Sequence, residues 1–198
     1  MSMYPYNPFF GQRIRTSAGG AVDHGFIAHY TIAAANAVAP SVTAVRIATA
    51  LADGLTTTLT VADLTQPPAP RVLTITGNAA TAVGNVVVTG TDFAGNPLVE
   101  TIVSTGAATV TGARAFASIV TAVLPARGAP GDTISLGLAG AFGIPFALPQ
   151  DTVVKILNNN VVTTVAAGSA FNATTLAANY IVPTAALNAA QIDVYLVV

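Results

Sequence analysis

His24 and His29, in the stretch D-H-G-F-I-A-H-Y, are the only imidazoles in the chain, and they are the first place to look for acid–base or metal chemistry. Their i, i+5 spacing sends them to opposite faces of a strand and roughly 140° apart around a helix. They meet on one ligand only through an irregular loop, and the plainer reading is two solvated or interface imidazoles. The eight acids are Asp23, Asp53, Asp63, Asp92, Glu100, Asp132, Asp151 and Asp193, with no close neighbours among them. Paired-carboxylate hydrolysis needs two that meet in space, and nothing in the spacing selects a pair. Most of the aspartates sit beside glycine or at the ends of apolar runs, in A-D-G, T-D-F-A-G and P-G-D, where the side chain ordinarily hydrogen-bonds its own turn.

Nucleophiles fare no better. There is no G-x-S-x-G elbow, and Ser104, Ser118, Ser135 and Ser169 have no histidine near them in sequence. The glycines of T-G-N-A-A-T-A-V-G-N and G-L-A-G-A-F-G are not followed by the Gly-Lys-Ser/Thr that completes a phosphate loop. The absence of cysteine removes disulfides, thiolate nucleophiles and sulfur-ligated metals together. No tryptophan is present to form a sugar platform, although Tyr30, Tyr180 and Tyr195 remain available for one. The sequence therefore assigns no catalytic residue, no cofactor site and no metal ligand.

Composition points away from small-molecule chemistry and toward association. Of 198 residues, 53% are hydrophobic and only 8% are charged, whereas an ordinary globular protein carries about three times that charge. A surface so poor in charge is either solvated by threonine, asparagine and glycine or covered by other chains, and the second reading is preferred here. Net charge is −1, and the basic residues Arg13, Arg15, Arg46, Arg71, Arg114, Arg127 and Lys155 are scattered. Nucleic acid, which requires several cations on one face, is not an expected partner. The N-terminus lacks a basic segment followed by an apolar run, so no secretory signal is expected. The uncharged run from Thr133 to Gln150 is broken by Gly137, Gly140, Gly143, Pro145 and Pro149, which fits a strand followed by a loop better than a membrane span.

The elements that would have to carry any function are strands. L-T-T-T-L-T-V-A from Leu55 places Leu55, Thr57, Leu59 and Val61 on one face, with period two. R-V-L-T-I-T from Arg71 is a short strand bounded by Q-P-P-A-P and G-N-A-A. Val86–Thr91 and Leu98–Ser104 form a hairpin across D-F-A-G-N-P, whose Asp92, Gly95, Asn96 and Pro97 are turn formers. Further strands are expected over 108–111, 115–123, 132–138, 152–157, 160–166 and 191–198, the last with Ile192, Val194, Leu196 and Val198 on one face. The Ala-rich 31–53 stretch is balanced between helix and strand, and helix is expected at most as short pieces there and over 184–190. Residues 1–30 read differently. Tyr4, Tyr6, Phe9 and Phe10 are interleaved with Pro5 and Pro8 before S-A-G-G-A, which predicts an extended arm, with Tyr4, Pro5, Tyr6, Pro8, Phe9 and Phe10 as its partner-binding residues. The expected architecture is all-β, a sandwich or barrel-like β domain over 31–198 with an extended N-terminal arm; 151–198 supply C-terminal strands that could form a subdomain.

The order of these pieces also carries a resemblance. Arg71–Ala79, the hairpin Val86–Ile102, the R-A-F strand Arg114–Phe116, G-D-T-I-S-L-G over Gly131–Gly137 and G-I-P over Gly143–Pro145 together resemble a module of virion structural proteins of tailed bacteriophages. The match spans about residues 60–150. The chain departs from the module at Phe142, where a polar or charged residue precedes G-[LI]-P. The resemblance implies a non-enzymatic capsid cement or decoration protein that bridges major capsid proteins, forms a homo-oligomer, a trimer by analogy, and sits on the outer surface of the virion after assembly in the host cytoplasm. It implies no cofactor, no nucleic acid and no membrane. A tail or head-fibre component, or a host-receptor or glycan-binding module, is the alternative, and the latter would place its aromatics at loop tips rather than in the arm.

Overall fold

The computed structural model describes residues 14–15, 21–22 and 25–198. In chain order its strands are β1 (Ile14–Arg15), β2 (Ala21–Val22), β3 (Ile27–Ile32), β4 (Ser41–Ala50), β5 (Thr57–Thr60), β6 (Arg71–Gly77), β7 (Val83–Thr91), β8 (Pro97–Thr105), β9 (Thr109–Phe116), β10 (Ser118–Leu124), β11 (Thr133–Gly143), β12 (Val153–Asn158), β13 (Val161–Thr163), β14 (Tyr180–Ile181) and β15 (Ile192–Val197). All pairings are antiparallel, and the helical content of the described residues is three single 3-10 turns, Ala34–Asn36, Val61–Asp63 and Leu176–Ala178. The protein is an all-β fold, as its alternating Thr/Val sequence predicts.

Two sheets form a sandwich. The first runs β5-β10-β7-β8; the second runs β14-β11-β6-β9, with β4 also paired to β11. Strict alternation in P-L-V-E-T-I-V-S-T drives Leu98 and Ile102 inward from β8. They join Val86 and Val88 of β7 against Leu73 and Ile75 of β6 and Ile134 and Leu136 of β11 in one buried cluster. The β7–β8 hairpin turns as its sequence requires. The Asp92 carboxylate accepts the Ala94 and Asn96 N–H groups at 2.9 Å each, and Gly95 takes φ +82°, a conformation costly for residues with a Cβ. At the opposite side of the sandwich, a Cβ on Gly137 would collide with the Ser41 carbonyl and the Val42 backbone, so glycine is what lets β4 lie against β11.

A second core sits beside the first. Strand β11 pairs with β6 up to Leu138↔Leu73, then resumes at Phe142↔Arg71, leaving Ala139, Gly140 and Ala141 as a wide bulge. Beyond it, Phe142, Ile144 and Leu148 pack with Ile32, Ile156, Ile181, Ile192, Val194 and Leu196 beneath a third sheet, β13-β12-β15-β3. Phe93, at the tip of the β7–β8 hairpin, meets Tyr30 of β3 edge-on at 5.6 Å. Hairpin and third sheet are thereby in contact.

Several boundaries differ from the sequence expectation. Leu55 is exposed, and Val61 leaves the strand for a 3-10 turn, because Asp63 accepts both the Thr60 N–H and the Thr60 hydroxyl at 2.9 Å in a capping box. The 31–53 stretch resolves into β3, one 3-10 turn and the long strand β4; pairing with β11 decides what propensity leaves balanced. No helix forms over 184–190. Strand β13 stops at Thr163, short of the expected 166, and only an isolated bridge Val165↔Pro183 continues it. At the N-terminal side, residues 27–30 of the 1–30 segment are already part of β3 in the third sheet.

Candidate interaction surface

The groups that could do chemistry are mostly engaged in holding the fold. Tyr4, Pro5, Tyr6, Pro8, Phe9, Phe10, Asp23 and His24 lie outside the described residues. Asp132 accepts the Gly128 and Ala129 N–H groups and the Thr81 hydroxyl, and Asp151 accepts the Val153 N–H: both are turn formers, as is Asp92. Ser104 and Ser135 donate to the carbonyls of Ala82 and Thr76. Ser118 pairs with Thr91, and Ser169 donates to the Ala166 carbonyl. Among the described residues no group of three or more His, Asp or Glu side chains is placed to hold a metal, and no helix is long and apolar enough to cross a membrane.

His29 and Asp193 do come together, across the β3–β15 ladder. His29 Nε2 is 2.9 Å from Asp193 Oδ1, and the imidazole stacks on the cross-strand Tyr195 ring at 4.4 Å. Burial pushes the Asp193 carboxyl upward, but hydrogen bonds from Thr31, Gln191 and His29 outweigh it and hold the group below its ordinary range. The nearest hydroxyl, Thr31 Oγ1, contacts that same Nε2 at 3.2 Å and donates to Asp193 Oδ1. A relay needs carboxylate and nucleophile on opposite imidazole nitrogens. Here they share one, so the cluster orients an imidazole without activating a nucleophile.

Two buried charged groups were not legible as such in the sequence. Arg71 is fully buried; its guanidinium donates to the carbonyls of Val38 and Ala139 and faces the Phe142 ring. Burial pushes it down to about 10, so it remains a cation at neutral pH. Glu100 points inward from β8 and accepts the Ala113 N–H of β9, while Arg114 Nη1 donates to the Val99 carbonyl at 3.4 Å. Together these bonds tie the free edge of one sheet to the free edge of the other. Burial pushes the Glu100 carboxyl up, against the opposing pull of the Ala113 N–H and the Arg114 charge.

What remains on the surface is a broad uncharged face. Register sets the outward-facing side chains of the first sheet in rows: Thr58, Val123, Val87 and Thr101; then Thr60, Thr121, Thr89 and Val99; then Ser118, Thr91 and Pro97. None is charged. The hydroxyls of Thr89 and Thr121 bond each other at 2.6 Å, and those of Thr91 and Ser118 at 2.7 Å. Cross-strand pairing of this kind stabilises the sheet and consumes part of the hydroxyls' capacity to bind water. Val99 and Val103 stand out at 55% and 53% exposure. The sequence signal for this face was present in the Thr/Val alternation of β5, β7, β8 and β10; the lateral alignment that makes it a surface depends on register and was not.

The fold and surface define an all-β protein with two large hydrophobic cores, a small third cluster of Val72, Ala115 and Ala141, and an uncharged sheet face. Comparison with family models, with curated proteins and with solved structures gives no match.

Proposed function

We propose that this chain is a non-enzymatic structural subunit of an assembled particle, and specifically a cement or decoration protein on the outer surface of a tailed-phage capsid, where it associates with itself and with the major capsid protein. The observation that carries the assembly reading is the outward face of the β5-β10-β7-β8 sheet, whose Thr, Val, Ser and Pro rows hold no charge. Charged residues are depleted where protein surfaces are buried against partners, and a monomer ordinarily keeps such a face broken by charge. The phage-capsid part rests on the ordered resemblance over residues 60–150.

A particle inventory tests the proposal. Mass spectrometry of purified virions from the host that encodes the chain should find it at hundreds of copies per particle and on the head. A handful of copies assigns it to the tail or a fibre instead, and absence from particles overturns the reading.

A further inference from the structure

The third sheet ends in a strand whose outer edge is open among the described residues. Phe26 and Val198 exchange N–H···O bonds of 3.1 and 2.9 Å, and the register continues Ala28↔Leu196, Tyr30↔Val194 and Ile32↔Ile192. Hydrogen-bonded and non-hydrogen-bonded pairs alternate along an antiparallel ladder, so the even-numbered residues of β3 bond to β15. Ile27, His29 and Thr31 then direct their N–H and C=O groups away from it. The close stack of His29 on Tyr195 agrees with this phase, because non-hydrogen-bonded pairs bring side chains nearest.

Among the described residues, the other edges of the three larger sheets are short, covered or tied, and this one is not. Arg114 and Glu100 bridge the β8 and β9 edges. Strand β5 is four residues long and ends in a capping box. Beside β4, Thr65 donates its N–H to the Val45 carbonyl at 2.9 Å. Beyond β13, Thr184 donates its N–H to Thr164 at 3.0 Å. Natural sheets protect an edge with charge, proline, a bulge or a cover; β3 contains no Lys, Arg, Asp, Glu or Pro, and its register is unbroken.

We propose that this edge is closed by a second copy of the chain, two β3 strands pairing antiparallel about a two-fold axis at His29, so that the third sheet continues from one protomer into the other. In that register Ile27 lies opposite Thr31 of the partner subunit, and each outward N–H and C=O of the three residues finds a partner. Each His29 is already hydrogen-bonded to its own Asp193. An N-terminal strand that runs through both Pro5 and Pro8 is a poor alternative occupant. Only every second residue of an added strand donates to its neighbour, and Pro5 and Pro8 differ in parity, so one of them falls at a donor position. This pairing goes beyond the capsid reading and does not depend on it.

The test uses the full chain in solution. Sedimentation equilibrium should show dimer formation, and Ile27→Pro should weaken it at least tenfold while Ile27→Thr leaves it within twofold. The proline removes an outward donor and no bond to β15. Independently of any variant, hydrogen exchange of the wild-type His29 and Thr31 amides should be slow in the dimer and become fast on dilution. A chain that stays monomeric, an oligomer in which those amides exchange freely, or association untouched by Ile27→Pro overturns the proposal. So does loss of amide protection on deleting residues 1–13, which would give the edge to the chain's own N-terminus.

Discussion

The Arg71 guanidinium carbon lies 4.6 Å from the centroid of the Phe142 ring, and this stack stands where β11 leaves one core and enters the other. With two backbone carbonyls on its donors, from Val38 and Ala139, Arg71 binds the crossing from β3 to β4 and the rim of the β11 bulge to β6. No carboxylate is needed, because carbonyl dipoles and the ring face supply the counter-field. Phe142 is thus a core side chain and the floor for a buried cation.

Arg71→Met should test that role, since it keeps much of the volume and removes every donor. Leaving buried carbonyls unpaired costs about 1–3 kcal/mol each, so the expected loss is about 3–5 kcal/mol in urea unfolding. Arg71→Lys keeps the charge but not the planar fork and should fall between wild type and Arg71→Met. A loss under 1 kcal/mol for the methionine variant would show that the joint holds without the guanidinium.

Asn179 is a second interior anchor. It is fully buried; its Oδ1 accepts the N–H groups of Leu148 and Asn172 at 2.9 and 2.8 Å, and its Nδ2 donates to the carbonyls of Asn172 and Thr175 at 2.8 Å each. Asn179→Asp replaces that donor with a carboxylate oxygen facing carbonyls, and should cost about 3–5 kcal/mol by the same orphaned-group argument. Thermal unfolding of the variant beside wild type at pH 7 reads it directly.

Glu100 predicts a pH dependence. Burial raises its folded-state pKa above the ordinary value, so the unfolded chain releases this proton first. Its contribution to stability is complete below the ordinary carboxyl range and is lost as pH rises through the folded-state pKa. Glu100→Gln keeps an acceptor for the Ala113 N–H without the charge. The variant should melt higher than wild type at pH 7, and the difference should shrink as pH falls toward 4. An unchanged or lower melting temperature at pH 7 would mean that the Arg114 charge outweighs burial.

The sequence made the regular parts of this fold legible and hid the joints. P-L-V-E-T-I-V-S-T alternates residue by residue, and β8 follows it; I-D-V-Y-L-V does the same for β15. D-F-A-G-N-P names its own turn. By contrast, nothing local in A-G-A marks the β11 bulge, because the group that stabilises it is Arg71, 68 residues away. The His29–Asp193 pair closes across 164 residues, and the i, i+5 spacing to His24 said nothing about it. The Thr60–Asp63 capping box was readable as T-x-x-D, and it accounts for the early end of β5.

The uncharged face of the first sheet supports a last prediction, which separates folding from assembly. Thr101 is exposed on β8, in the row with Val87 and Val123. Substitution there touches no core side chain, so Thr101→Lys should change unfolding free energy by no more than about 0.5 kcal/mol. If the face is buried against a partner, the lysine must be desolvated without a counter-charge, a cost of several kcal/mol. Binding to particles, read as occupancy in a co-sedimentation titration, should then fall at least tenfold, while Thr101→Val, which keeps the shape and removes the hydroxyl, should retain it. Equal occupancy for the lysine variant and wild type would mean that this face stays in solvent on the particle, and the attachment surface would have to lie elsewhere on the chain.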